Sequence, residues 1–345
     1  MGLLGSGGAV GLELDTVEAR AVELRGKAGA AGAATLTAWG RVSLPPGAVV
    51  DGMVSQPELV GKALAELWSA GRITSREVVL GVVNREVLVR FAVVPVMPRT
   101  KLFGVIRHHA RDLLPIPLDT AVWDYTVIGE RPGLESRMFE LLLVAARREM
   151  LDGFLLALAF ARLEPRDIDV ASLALLRVMP PSPADGAVVL VDLGNGSSTV
   201  LVIARGMLRL ARFVSVSLEA AAGMLGCSVE EALAGPGGTA HRQWPAETLA
   251  AWAGGVEAEI RASVDYYQRQ EPEPEAVSEV VLSGRGVRVP GLTTQLEGNL
   301  GVPVRIIEPL QGITLPAGIA ENSSWSAPDF ATCIGLARRG LEGGR

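Results

Sequence analysis

The chain has 345 residues, a length that suits about two domains, and is 49% hydrophobic and 20% charged. Its 32 basic and 38 acidic residues give a net charge of -6, which argues against the basic face of a nucleic-acid binder. Two cysteines and three histidines exclude a disulfide framework and a histidine-rich metal centre, and fit a reducing cytoplasm.

Met1-Gly2-Leu3-Leu4-Gly5-Ser6 has neither the basic start nor the long apolar stretch of a signal peptide. Residues 11–24, G-L-E-L-D-T-V-E-A-R-A-V-E-L, run from an apolar–acid–apolar strand through a short polar turn into a second strand. A further strand is expected over residues 35–44. Residues 78–83 and 87–94 read as strands joined by a turn at Asn84-Arg85-Glu86. Met97-Pro98 introduces a helix carrying Leu102, Phe103, Ile106, Ala110 and Leu113 at helical spacing, stopped by Pro115 and Pro117. His108 and His109 belong to R-H-H-A-R, a solvated helix face. Residues 138–148 read as a buried strand and 149–163 as a helix. Its apolar centre, between Asp152 and Arg162, is too short to span a bilayer, so a soluble protein is expected.

The central stretch V-V-L-V-D-L-G-N-G-S-S-T-V-L-V-I, residues 188–203, repeats the pattern of residues 11–24. Taken alone, it suits equally a plain hairpin with turn-forming Asp and Asn and a phosphate-cradling hairpin with Asp192 aimed at a metal-bound phosphate. Aligned on the earlier copy, Glu13 falls on Asp192, Asp15 on Gly194 and Arg20 on Thr199. Each copy is followed by another strand, the second over residues 207–216. Two such meanders point to an internal duplication with facing halves. A helix follows near residues 217–225, and Ser228-Val229-Glu230-Glu231 opens another with a capping-box pattern. Gly235-Pro236-Gly237-Gly238 breaks the chain. Leu249, Trp252, Val256, Ile260, Val264 and Tyr267 then mark one stripe of a long amphipathic helix. E-P-E-P-E at residues 271–275 is a solvated loop, and residues 279–292 deliver a strand into a glycine-rich turn before a helix.

The duplicated meander with an acid at each turn, and the later strand leading to Ser283-Gly284-Arg285-Gly286, resemble the actin-like ATPase superfamily. D-L-L-P-I-P-L-D-T-A-V-W-D-Y (112–125), L-L-V-A-A-R-R-E-M-L-D (142–152), E-I-R-A-S-V-D-Y-Y (259–267) and F-A-T-C-I-G-L-A-R-R-G (330–340) narrow it to the type IV pilus assembly family PilM. The resemblance covers nearly the whole chain. It implies an α/β actin-like fold: duplicated ribonuclease-H-like halves around a nucleotide cleft, with an inserted subdomain. The expected boundaries are 1–74 for the first half, 75–163 for the insert, 164–186 for the return to the first half and 187–340 for the second half. It also implies a cytoplasmic scaffold at the inner face of the cytoplasmic membrane. That scaffold holds the amino-terminal tail of a PilN-like membrane protein in a groove between the first half and the insert. Arg90 and Met97 are the expected wall residues. Homo-oligomerisation stays open, as does the choice among pilus, DNA-uptake and secretion machines. Two weaker readings are a phosphotransferase of the sugar-kinase or acetate-kinase type, for which no base or substrate motif is found, and an FtsA-like division protein. The glycine-rich end, residues 335–345, is too short for the membrane helix the latter needs.

By the same resemblance, ATP and Mg2+ would contact Glu13, Asp15, Thr16 and Arg20 of the first hairpin. In the second hairpin the contacts would be Asp192 (the metal-facing acid), Gly194, Asn195, Gly196, Ser197 and Ser198. Gly284, Arg285 and Gly286 would lie against the adenosine. Phosphate hairpins work by aiming backbone N–H groups at the anion, and glycine permits the approach. The second hairpin keeps that chemistry. The first places Asp15 where the family has a small residue, the position after Ala234 lacks the family's lysine, and Arg285 replaces a common glycine. A carboxylate facing a phosphate at about 4 Å costs about 4 kcal/mol at an effective dielectric near 20. Two such pairs cancel a micromolar affinity of roughly 8 kcal/mol. Nucleotide binding is therefore expected to be weak or absent.

Overall fold

The computed structural model describes residues 7–26, 34–133, 136–180, 186–234, 243–322 and 325–342. Met1–Ser6, the glycine-rich break after Ala234, His241 and the last three residues lie outside that set, as does the position expected to lack a lysine. The first half begins with β1 (Gly7–Leu14), β2 (Glu18–Gly26) and β3 (Ala34–Ser43), followed by the short β4 (Val49–Val50) and β5 (Met53–Val54). Then come α1 (Pro57–Gly71) and β6 (Glu77–Val82). An excursion follows through β7 (Leu88–Pro95), α2 (Arg99–Leu113), β8 (Ala121–Pro132) and β9 (Arg137–Arg147). The chain returns through α3 (Arg148–Phe160), β10 (Glu164–Val170) and α4 (Ala171–Ala174).

The second half comprises β11 (Ala187–Leu193), β12 (Ser198–Ala204), β13 (Met207–Val214), α5 (Leu218–Met224), α6 (Val229–Leu233), α7 (Ala246–Gln270), β14 (Val277–Ser283), α8 (Leu292–Leu300) and β15 (Val304–Ile306). β16 (Ile313–Thr314), α9 (Ala317–Ala320) and α10 (Ala331–Glu342) close the chain. Its sheet has the order β13-β12-β11-β14-β15, and the first sheet reads β16-β3-β2-β1-β6-β10. Leaving β16 aside, each half has an antiparallel three-strand meander whose first strand pairs in parallel with the next strand of its half. Registers match as well: Glu13 pairs with Arg20 and Asp192 with Thr199. The duplication is therefore present in the backbone.

Local structure follows local chemistry. Ser228 Oγ accepts the Glu231 N–H at 3.3 Å, and Glu231 Oε2 accepts the Ser228 N–H at 2.9 Å, completing the expected capping box of α6. On α7, Trp252, Val256, Ile260 and Tyr267 are buried in the second core, with Leu249 and Val264 at its margin.

Three boundaries differ from the sequence reading. β6 pairs with β1 and β10 rather than with β7, and the Asn84 turn separates two sheets. α3 packs against α1, so the separate three-stranded sheet β7-β9-β8 spans only Leu88–Arg147, less than the expected 75–163. Finally, β16 and α10 belong with the first half, not the second: β16 pairs with β3, and α10 lies across β1, β2 and β6. A Cβ at Gly11 would strike the Cys333 carbonyl, and one at Gly335 would strike the Ala174 carbonyl. These glycines let the helix backbone approach so closely.

Candidate functional site

The tips of the two hairpins meet. Asp15, which ends the first hairpin's strand, reaches across to the second. Its Oδ2 accepts the Asn195 N–H at 3.1 Å, and its Oδ1 accepts the N–H of Gly196 at 3.4 Å and of Thr16 at 2.7 Å. Gly196 lies so close to the Thr16 side chain that a Cβ would collide with it. Thr16 Oγ1 donates to Glu219 Oε1 at 2.9 Å. The N–H groups aligned for an anion are thus filled by a carboxylate of this chain.

Arg285 seals the adjoining space. Fully buried, it donates through Nη2 to Glu230 Oε1 at 2.7 Å and through Nη1 to Asn195 Oδ1 at 3.4 Å, and Nη1 lies 3.3 Å from Glu18 Oε2. One guanidinium therefore joins the glycine turn and α6 of the second half to β2 of the first. Arg20 lies 3.1 Å from Glu13, 3.7 Å from Asp15 and 3.4 Å from Glu18, and donates to the Asp329 carbonyl at 2.9 Å. The Asp329 carboxylate in turn accepts from Arg41 at 2.8 Å and Arg288 at 3.4 Å. Gly284 (φ +79°) and Gly286 have a packing role: a Cβ on either would meet Leu193 at the end of β11. Ser198 Oγ donates to the Val216 carbonyl at 2.6 Å. Ser197 lines a cleft of about 470 Å³ beside the hairpin tips, whose charged residues are Asp15, Asp51, Glu219 and Arg85.

Six carboxylates (Glu13, Asp15, Glu18, Asp192, Glu230, Asp329) face four guanidiniums (Arg20, Arg41, Arg285, Arg288) here, so protons make up part of the difference. Burial pushes Glu13 up from 4.5 to about 8; Arg20 opposes the rise, and Asp192, Asp15 and Glu18 add to it. Burial likewise raises Asp192 to about 6 against the pull of Arg20. No group of three or more His, Cys, Asp or Glu side chains suited to a metal ion occurs among the described residues.

A second site lies at the β10 edge of the first sheet. Strands β8 and β9 face β10, α4 and α10 across a groove of about 520 Å³. Val144, Leu142, Ile168, Leu173 and Met207 make it apolar. Arg339 with Asp167 (2.6 Å) and Arg177 with Asp169 (2.7 Å) add polar groups. Among the described residues β8 pairs only with β9 and β10 only with β6, so both strands lining the groove keep an unpaired edge.

A family model described as type IV pilus assembly protein PilM matches residues 11–341. The chain belongs to the PilM family. Among solved structures, this PilM-family protein is similar to a PilM-PilN type IV pilus biogenesis complex, with 25% identity over 97% of this chain and 99% of that one and a TM-score of 0.80. It also matches the ethanolamine utilization protein EutJ from Carboxydothermus hydrogenoformans, with 15% identity over 99% and 91% of the two chains and a TM-score of 0.52. A weaker match is MreB5 of Spiroplasma citri bound to ADP: 10% identity, 95% and 94% coverage, TM-score 0.46. The fold is actin-like.

The structure brings Glu13, Asp15, Thr16, Arg20, Asp192, Asn195, Gly196 and Arg285 of this PilM-family chain to one junction, with Gly194, Ser197, Ser198, Gly284 and Gly286 shaping the turns around them. Sequence reasoning missed Glu18, Glu230 and Asp329, which complete the charge network. A signal for Glu18 was present: charged residues recur along two strands that are otherwise almost wholly apolar. Arg90 and Met97 do not line the large groove. Arg90 donates to the Val89 carbonyl beside a smaller cavity, and Met97 packs against the α2 cluster.

Proposed function

We propose that this protein is a cytoplasmic scaffold of a type IV pilus or related machine, one that captures an extended tail of a PilN-like membrane partner in the groove between β8 and β10. The observation that carries this reading is one apolar groove lined by two strands with free edges. An extended peptide adds main-chain hydrogen bonds to such an edge, while apolar pockets select alternate side chains. The similar PilM-PilN complex supports the choice of partner. The partner places the scaffold at the membrane, since no described helix is long and apolar enough to cross one.

The scaffold works with weak or no ATP and Mg2+ binding. Asp15 already satisfies the cradle's N–H groups, Arg285 fills the junction, and the remaining cleft carries three acids and one arginine. A nucleotide would have to displace a buried ion-pair network and then face those acids.

Fluorescence anisotropy with a synthetic peptide copying the partner's amino-terminal tail tests the groove. Saturable binding is expected, and Thr126→Trp, an exposed substitution on the wall, should abolish it without altering the fold. Binding that Thr126→Trp leaves intact moves the site elsewhere, and absence of binding removes the proposal.

A further inference from the structure

Helix α2 covers the face of the β7-β9-β8 sheet opposite the groove. Leu102, Ile106 and Ala110 anchor it to Leu141, Leu143 and Ala145, so it needs no partner to fold. Arg99, Phe103, Arg107 and Arg111 recur every fourth residue and form one ridge; Lys101 and His108 stand elsewhere on the helix, and all six are exposed. The helix carries a single acid, Asp112. No carboxylate among the described residues pairs with Arg99, Lys101, Arg107 or Arg111. Phe103 is 54% exposed and stacks on Trp123 at 5.6 Å, which supports its ring from beneath; Val96, at the helix entry, is 43% exposed.

We propose that this ridge is a contact surface for an anionic lipid bilayer. Charge complementarity decides for it: four exposed cations without an ion pair among the described residues stand on one helix that carries a single acid, in a chain whose net charge is -6. Arginine stems lie along an interface while their guanidiniums bind phosphate oxygens in pairs. An aromatic ring among them supplies the apolar insertion of an interfacial helix. With only one large aromatic on the ridge, attachment is reversible. The groove opens mainly on the other face of the same sheet, and Trp123 and Tyr125 border both sites. The inference does not depend on what the groove binds.

The test is flotation of the full chain with phosphatidylcholine vesicles, with and without phosphatidylglycerol, at low and high salt. Binding is expected only to the anionic vesicles and only at low salt. Each arginine contributes about fivefold to partitioning. The triple variant Arg99→Gln, Arg107→Gln, Arg111→Gln should therefore lose on the order of a hundredfold, with its melting temperature unchanged. Phe103→Ser should weaken the binding to anionic vesicles at low salt. Failure to float with anionic vesicles, or equal flotation of the triple variant, overturns the proposal. So does loss of soluble polyglutamate binding in the triple variant when vesicles are not bound at all, an outcome that assigns the ridge to an acidic protein.

Discussion

At the scale of single residues, the cleft junction turns on how many charges are taken out of water. Removing one partner of a buried ion pair leaves the other uncompensated, typically at a cost of about 3–5 kcal/mol. Arg285→Ala strands the buried Glu18 and should fall at the lower end, about 3 kcal/mol, because Arg20 and Arg41 remain near it. Glu230→Gln, on a side chain 65% exposed, should cost under about 1 kcal/mol. Urea denaturation measures both, and equal effects would contradict the assignment of Arg285 as the buried tie. Protonation acts on the same network. Glu13 carries its proton up to about pH 8 when folded but only to 4.5 ordinarily, so the folded chain binds more protons between those values. Its contribution to stability is complete below 4.5 and is lost as pH rises through 8. Asp192 acts in the same sense between 3.8 and about 6. Melting temperature should therefore decline across this range, and Glu13→Gln, which keeps the neutral shape, should flatten the decline. An unchanged slope would locate the titration elsewhere.

At the scale of elements, the meanders, the capping box and the α7 stripe were legible because local patterns specify them: period two, an S-x-x-E spacing, period near four. Membership of elements was harder to read. α10 follows the second half in sequence yet packs on the first, because its partners are glycines on β1 and β6 whose role is to be absent. Nothing in the F-A-T-C-I-G-L-A-R-R-G pattern says which sheet it will cover. Gly11→Ala should thus destabilise by about 1–3 kcal/mol through overpacking, although Ala is ordinarily harmless in a strand, and the denaturation midpoint should fall with an unchanged m-value. A neutral result would mean that α10 shifts freely. The groove was partly hidden for the same reason. Its walls include Ile168, Leu173 and Arg339, which lie outside the insert in sequence, whereas Arg90 and Met97 were chosen within the insert, on its strand and at the helix entry. The hairpin residues were found because chemistry at a turn leaves a composition mark; Glu230 and Asp329 come from elements far away in sequence and leave none.

At the scale of the whole molecule, the two halves are held across the hairpin tips by bonds internal to the chain. Asp15 supplies the anion and Arg285 the tie, and the proposed scaffold closes its halves without ATP. Thermal unfolding with ATP and Mg2+ puts this to the test. A ligand bound with micromolar affinity and present at millimolar concentration stabilises by about 4 kcal/mol, which raises Tm by several degrees. The native chain should show no measurable rise. The double variant Asp15→Gly, Arg285→Gly frees the N–H groups of Asn195 and Gly196 and empties the space beside Glu230. Its Tm without ligand should be lower, and addition of ATP and Mg2+ should recover part of the loss. Retained binding of the partner-tail peptide at the groove checks that the variant is still folded. A ligand-dependent rise in the native protein would show that the ion-pair network yields to nucleotide. No rise in the folded double variant would show that Asp15 and Arg285 are not what keeps nucleotide out.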